Sequence, residues 1–252
     1  MHLSVHKSIF EAYPRAEIGY VVASFDQGML EETLIGDKVS LLQQSMLARG
    51  FAPGTSVRLD PRIKIWCDIY ATFGVKPSEF PSSIEALSRR ALNNKFPRIM
   101  PIIDLYNAFS VETLLPMGGY DLAKLVGDIS LGFAAEGDLF KGLGCADYQH
   151  IDPRHVVYKD SQQVICWLWN HRDAVETAID RSTRRAIFFI DSADSGLEGI
   201  LPMLEVVEAF QRELTAVGAD APIAGFLSQA LPAVDLDLAL LEEVTSQAMH
   251  ES

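Results

Sequence analysis

The chain has 252 residues, 48% hydrophobic and 22% charged, long enough to bury a sizeable core with no disulfide or metal crosslink. Its net charge of −13 argues against a protein that grips a long stretch of nucleic-acid backbone, although it leaves room for a small basic patch. No apolar run reaches the roughly 18–20 residues of a membrane span.

Cys67, Cys145 and Cys166 are odd in number and have no CxxC spacing, which points away from a disulfide framework or zinc site and towards a reducing cytoplasm. The first residues, MHLSVHKSIFEAYPRAE, lack a basic region followed by an apolar one, so no signal peptide is expected.

In chain order, Ile18 to Phe25 (IGYVVASF) is rich in β-branched and aromatic residues and reads as a strand. Leu30 to Arg49 has helical composition and stops at Gly50, with Pro53 beyond it. Pro61 to Phe73 opens on proline and ends at Gly74, again a helix. Ser82-Ser83-Ile84-Glu85 is a capping-box pattern. It starts a helix with Ile84, Leu87 and Ala91 on one face and Arg89 and Arg90 off that stripe.

The middle third is β-rich, with strands at His155 to Lys159, Gln163 to Trp169 and Arg184 to Asp191, and a hairpin turn at Asp160-Ser161. Period-two spacing puts Trp167 and Trp169 on one strand face. The C-terminal third reads as helical: Leu197 to Val217, striped by Leu201, Leu204, Val207 and Leu214 and stopped by Gly218, then Leu236 to Met249. No linker forces a division, so residues 1–252 are expected to form a single α+β domain, a mixed sheet with flanking helices.

The common catalytic signatures are missing: there is no GxxxxGK[ST] loop, no GxSxG elbow and no HExxH pair. Gly142-Leu143-Gly144 is a dinucleotide fingerprint without its third glycine. The six histidines show no metal spacing, and His150 and His155 read as surface loop and strand positions. No cofactor or metal is called for.

One apolar stretch, FPRIMPIIDLYNAFSVETLLPMGGYDL from Phe96 to Leu122, carries Asp104, Tyr106-Asn107, Gly118-Gly119 and Asp121. It is either a polar hub of the core or the wall of a pocket. The segment around it, about Trp66 to Asp191, resembles the B3/4 domain. This is the editing module of the bacterial phenylalanyl-tRNA synthetase β subunit, also found in free-standing proteins. The resemblance runs in order through Tyr70 to Pro77, Ser82 to Leu87 with Arg89-Arg90, Pro101 to Asn107, Pro116 to Asp121, Gly127-Asp128-Ile129, Glu136-Gly137, Val157 to Asp160, Trp167 to Trp169 with Arg172, and Thr183-Arg184-Arg185 leading to Phe189-Ile190-Asp191. It marks a core of about 66–191 with helical N- and C-terminal additions.

The resemblance implies an α+β fold and a pocket for the acceptor end of a tRNA carrying a non-cognate amino acid, whose ester to the terminal ribose is hydrolysed. In the synthetase that amino acid is tyrosine. Here Gly118 stands where the synthetase domain has a histidine, and the position of its tyrosine-reading glutamate falls at about Phe189, two residues before Asp191. The tyrosine pattern is therefore not intact. The sequence is similar instead to free-standing members that clear canavanine from arginine tRNA.

Such a reaction needs geometry more than a strong nucleophile, because the ester is labile. Asn107 is a candidate to position water or ribose, since its amide donates and accepts. Tyr106 could wall the pocket or stack on the terminal adenine. Gly118 and Gly119 allow close backbone approach, with amides available to a developing oxyanion. Asp121 could hold the substrate ammonium or orient the water, and His171 could be the general base. A guanidinium would pair with a carboxylate, Asp191 before Asp121.

Trp169 could floor the pocket and Thr183 contact the ligand, while Arg89, Arg90 and Arg172 could meet phosphates near the acceptor end. Each has a plainer alternative: Asp104 a structural carboxylate, Tyr106 and Asn107 a polar hub, the glycine pair a turn, Asp121 a helix cap, the arginines a solvated face, His171 a surface residue, Thr183 a turn. Two other readings compete with deacylation: a non-catalytic amino-acid or metabolite binder, and a translation-machinery interaction protein.

Overall fold

A computed structural model describes residues 1–239 and 241. In chain order they form β1 (His2–Val5), α1 (Lys7–Ala12), β2 (Glu17–Ser24), α2 (Glu32–Ala48), α3 (Pro61–Thr72), α4 (Ser83–Leu92), α5 (Pro101–Thr113), β3 (Met117–Asp121), β4 (Ile129–Phe133), β5 (Leu139–Phe140), β6 (Gln149–His150), β7 (Val156–Lys159), β8 (Val164–Trp167), β9 (Arg172–Asp173), β10 (Arg185–Ser192), α6 (Met203–Ala216), β11 (Asp220–Leu227) and β12 (Ala233–Asp235). The fold is α+β, as the sequence indicates.

Two sheets carry it. One has the order β12-β1-β4-β7-β8-β9 and the other β11-β2-β10-β3. All neighbours are antiparallel except β1 and β4. Alternate residues of β2 and β10 face two different cores. Ile18, Tyr20, Val22, Ile187 and Phe189 meet the six-stranded sheet and α3. Val21, Ala23, Ala186, Phe188 and Ile190 meet α5 and α6. Burial on both faces explains why these two strands are almost uninterrupted apolar runs.

The helices start where the caps place them. Asp60 Oδ1 accepts from the Arg62 amide ahead of α3 (2.9 Å), and Ser82 Oγ accepts from the Glu85 amide at α4 (3.4 Å). Glu85 does not complete the capping box. It is buried, and its carboxylate meets Arg58 at 3.0 Å and Arg89 at 3.7 Å. Asp104 ties the entry to α5, accepting from the Ile99 amide (2.7 Å) and Arg98 (2.8 Å).

Several expectations need correction. The helix anticipated over Leu197 to Val217 starts only after Pro202. Its buried stripe is Met203, Val206, Val207, Phe210 and Leu214, while Leu201 and Leu204 are exposed. Of the helix anticipated over Leu236 to Met249, residues 240 and 242–252 lie outside those described, and Leu236 to Ala239 form none. The segments flanking residues 66–191 are not only helical, because they supply β1, β2, β11 and β12. β8 stops at Trp167; Leu168 and Trp169 then adopt φ of +52° and +64°. The two tryptophans therefore do not share a strand face. His155 is buried and accepts from Trp167 Nε1 at 2.9 Å.

Candidate active site

β3 is one edge strand of the four-stranded sheet, with Ala178 bridging Tyr120 on its outer side. Its pairing with β10 (Ala186 with Asp121, Phe189 with Gly118) is antiparallel, so successive residues turn their amides alternately inward and outward. The Leu122 amide bonds to Arg185 and that of Asp121 to Thr177 on the other side. By the same alternation, Met117 and Gly119 turn their amides away from β10, and Gly118 turns its own into the ladder.

Outside this edge lies a cleft of about 450 Å³ between α4, α5, β3 and the chain after β8, lined by Arg90, Tyr106, Asn107, Met117, Gly119 and His171, among others. Glycine at 119 is required by packing: a Cβ there would sit 2.9 Å from Phe188 and 3.0 Å from Ile179.

Among the described residues, nothing bonds the Asn107 amide or the Tyr106 hydroxyl. Burial, reinforced by the Asp173 and Asp104 carboxylates, pushes the Tyr106 phenol well up, so it stays a neutral O–H. Arg90 and Arg172 line the cleft without a carboxylate partner among the described residues; Arg172 Nη1 reaches only Cys145 Sγ, at 3.5 Å. Arg89 is not in the cleft wall and is turned to Glu85. His171 has Nδ1 2.7 Å from the Pro81 carbonyl and rings of Phe80 and Trp167 at 5.5 Å. Nδ1–H donating to that carbonyl leaves Nε2 as acceptor. Burial pulls the ring's pKa below the ordinary value, against the Pro81 bond and with help from Arg172. His171 is thus neutral at pH 7, and it is half-buried in the cleft wall.

Behind the cleft, on the core face of β3, is a chamber of about 30 Å³, room for about one water. The two spaces share Ser83, Met117, His171, Arg172 and Asp173. Gly118, Trp169, Asn170 and Asp191 line the chamber. Tyr158 donates to Asp191 Oδ1 (2.5 Å), Asn170 Nδ2 to Asp191 Oδ2 (3.3 Å), and Tyr70 to Asn170 Oδ1 (2.8 Å). Tyr120 donates to Asp173 Oδ1 at 2.7 Å. Among the described residues, no cation pairs with either carboxylate. Burial therefore dominates and raises the Asp191 carboxyl to about 7, against the hydrogen bonds that favour its charged form. Asp173 is raised for the same reason.

The expected residues thus divide. Tyr106, Asn107, Gly119, Arg90, Arg172 and His171 border the cleft, and Gly118, Trp169 and Asp191 border the chamber behind it. Asp121 and Thr183 border neither. Asp121 takes the Ala123 amide on Oδ1 (2.9 Å) and the Thr183 hydroxyl on Oδ2 (2.7 Å), and Thr183 Oγ1 also accepts from the Asp180 amide (2.9 Å). Both fasten a turn, which is the plainer alternative for Thr183; Asp121, for which that alternative is a helix cap, is followed by a turn and caps no helix. Asp173, Asn170 and Ser83 were not anticipated. Asp173 sits directly after Arg172, but a lone carboxylate in a two-residue strand carries no periodic signal. Among the described residues no group of His, Cys, Asp and Glu could hold a metal ion, and no helix is long and apolar enough to cross a membrane.

The B3/4 domain model matches residues 65–196. A solved structure, an N-terminal fragment of the phenylalanyl-tRNA synthetase β-subunit from Pyrococcus horikoshii, aligns with 97% of this chain at 10% identity and a TM-score of 0.45. The chain spans 59% of that fragment. No curated protein matches the chain.

Proposed function

The chain belongs to the B3/4 domain family, and from that premise we propose that it is a trans-acting aminoacyl-tRNA deacylase, hydrolysing the ester between a non-cognate amino acid and the terminal ribose of tRNA. The observation that carries this reading is the cleft along β3. It combines an outward amide at Met117, an Asn107 amide with no partner among the described residues, and a wall shared with the chamber that holds a buried carboxylate. The terminal adenosine and acyl group lie in the cleft, with Tyr106 as a wall. The outward Met117 amide faces the carbonyl oxygen as charge develops on it. Asn107 orients the ribose or the water, and Arg90 and Arg172 meet acceptor-end phosphates. Holding water and ester together supplies much of the acceleration, and a nearby base removes the proton; His171 and Asp191 are the two candidates for that base. The net charge of −13 fits a protein that grips only the acceptor end, since few phosphate contacts are needed there.

For a cationic side chain such as that of canavanine, Asp173 is the carboxylate reached first, because it lines both the cleft and the chamber. Asp191 lies in a space too small for a guanidinium. The test is release of amino acid from a panel of mischarged tRNAs, canavanyl-tRNA(Arg) included. Turnover of at least one of them, about 100-fold or more above the spontaneous rate, is the expected result. Saturable binding of a free amino acid without turnover, or neither activity together with co-purification of a synthetase, overturns it. Asn107→Ala is expected to lower kcat about 10-fold or more while moving stability by less than about 0.5 kcal/mol. Equal loss of both makes Asn107 structural.

A further inference from the structure

The inner chamber has two features that the cleft alone does not explain. The first is a pair of polar atoms without partners. Trp169 is fully buried and lines the chamber, yet its Nε1–H makes no well-formed hydrogen bond among the described residues, and Ser83 Oγ on the same wall has no partner either. A buried donor left unmade costs about 1–3 kcal/mol. The indole N–H does help to stabilise the Asp191 carboxylate, so it is directed at that group, but without the geometry of a formed hydrogen bond.

The second feature is backbone geometry. Leu168 and Trp169, both fully buried, are consecutive non-glycine residues in the left-handed region, at a cost of order 1–3 kcal/mol each. That turn takes the chain out of β8 and brings the Trp169 ring and the Asn170 amide onto the chamber. Trp169 is then held between Trp66 and Tyr13, ring centroids 5.2 Å away in each case.

A space for about one water, an N–H donor, a hydroxyl and a carboxylate with unused lone pairs together make a water site, since a buried water needs two to four polar partners. We infer that this chamber seats the hydrolytic water between Trp169 Nε1, Asp191 and Ser83 Oγ, and that Asp191 is the general base of the reaction, with Trp169 and Asn170 as positioning residues. The inference rests on the deacylase reading and selects between its two bases; His171 becomes part of the wall shared by chamber and cleft.

As the water oxygen adds to the ester carbonyl carbon, one water proton passes to an Asp191 oxygen. As the carbon–oxygen bond to the ribose breaks, the Asp191 carboxylic acid returns that proton to the departing ribose oxygen. The products are the free amino acid and an intact terminal hydroxyl. The groups that face Asp191 are Tyr158 from β7, Asn170 and Trp169 after β8, Cys166 from β8, Tyr70 from α3, Asp173 from β9 and Tyr120 from β3, with His171 and Arg172 in the wall shared with the cleft. Tyr158, Tyr70 and Tyr120 are all pushed up by burial and stay neutral. A carboxyl raised to about 7 suits a base working at neutral pH.

The test is the pH profile of kcat/KM on whichever acylated tRNA the wild-type protein turns over. The wild type should show an acid limb, with the rate rising tenfold per pH unit and levelling near pH 7. Asp191→Asn should abolish the limb and lower kcat about 100-fold or more with KM little changed. His171→Gln should retain the limb. Trp169→Phe, which keeps the ring and loses only the N–H, should lower kcat about 10-fold at unchanged KM; it serves even where Asp191→Asn fails to fold. Turnover that survives Asp191→Asn with its acid limb intact, a limb lost in His171→Gln, or Trp169→Phe at wild-type kcat, overturns this assignment and leaves the deacylase standing. No turnover of any acylated tRNA by the wild type removes both.

Discussion

At the scale of single residues, Asp191 and Asp121 show how burial and partner decide what a carboxylate does. Both are almost fully buried. Asp121 is consumed by the turn it holds. Removing the hydroxyl from its partner, in Thr183→Val, should cost about 1–3 kcal/mol in urea unfolding without changing turnover per folded molecule, because neither residue reaches the cleft. Asp191 receives hydrogen bonds but no charge partner among the described residues, and its folded pKa lies near 7 against a reference of 3.8. The sign follows from linkage. Between about pH 4 and pH 7 the folded state binds more protons than the unfolded chain, so this group's stabilising contribution is complete below pH 4 and is lost as pH rises through 7. Asp191→Asn should therefore flatten the fall of Tm from pH 5 to pH 8 relative to wild type. An unchanged slope would place the proton elsewhere. The sequence marked Asp191, Tyr106, Asn107, His171 and Arg172 as candidates, and all five line the cleft or the chamber behind it. It did not reveal that Asp121 faces a turn or that Asp173 joins them, because facing depends on strand register, and register is set by partners far away in the chain.

At the scale of elements, what was readable tracks how periodic each segment is. β2 and β10 are continuous β-branched and aromatic runs, α3 opens on a proline and ends at a glycine, and α4 announces its N-cap, so all four follow from the sequence. β3 and β11 do not. MGGYD carries two glycines, which lower strand propensity, and DAPIAGFL combines a proline and a glycine with a half-exposed outer face. The glycines of β3 are there for space. At Gly118 a Cβ would sit 2.8 Å from Tyr120 Oη, and thus against the hydroxyl that bonds Asp173; at Gly119 it would meet Phe188 and Ile179. Gly119→Ala should destabilise by about 1–3 kcal/mol through overpacking, measurable by thermal melting. The turn at Leu168-Trp169 was unreadable for a related reason: nothing in the WLW triplet signals a left-handed pair, which only the surrounding packing enforces.

At the scale of the whole molecule, the matched segment 65–196 is not self-sufficient. It contains β10 and β3 but neither β2 nor β11, and β2 is the strand between β11 and β10. Without it β10 loses a register of eight residue pairs and opens both cores. A fragment of residues 65–196 is expected to show no cooperative unfolding transition by circular dichroism, whereas the full chain does. A cooperative melt of the fragment would mean that the outer strands are decoration.

The placement of β2 also governs how the protein is made. Its residues 17–24 leave the ribosome early, yet their partners on either side, β10 and β11, begin at residues 185 and 220. Most of the chain must therefore be synthesised before this apolar strand acquires a neighbour. Such distant pairing slows folding and leaves a sticky segment uncovered during translation. A nascent chain stalled shortly before residue 185 should hold β2 in a protease-sensitive, chaperone-accessible form, and one carried well past residue 227 should not.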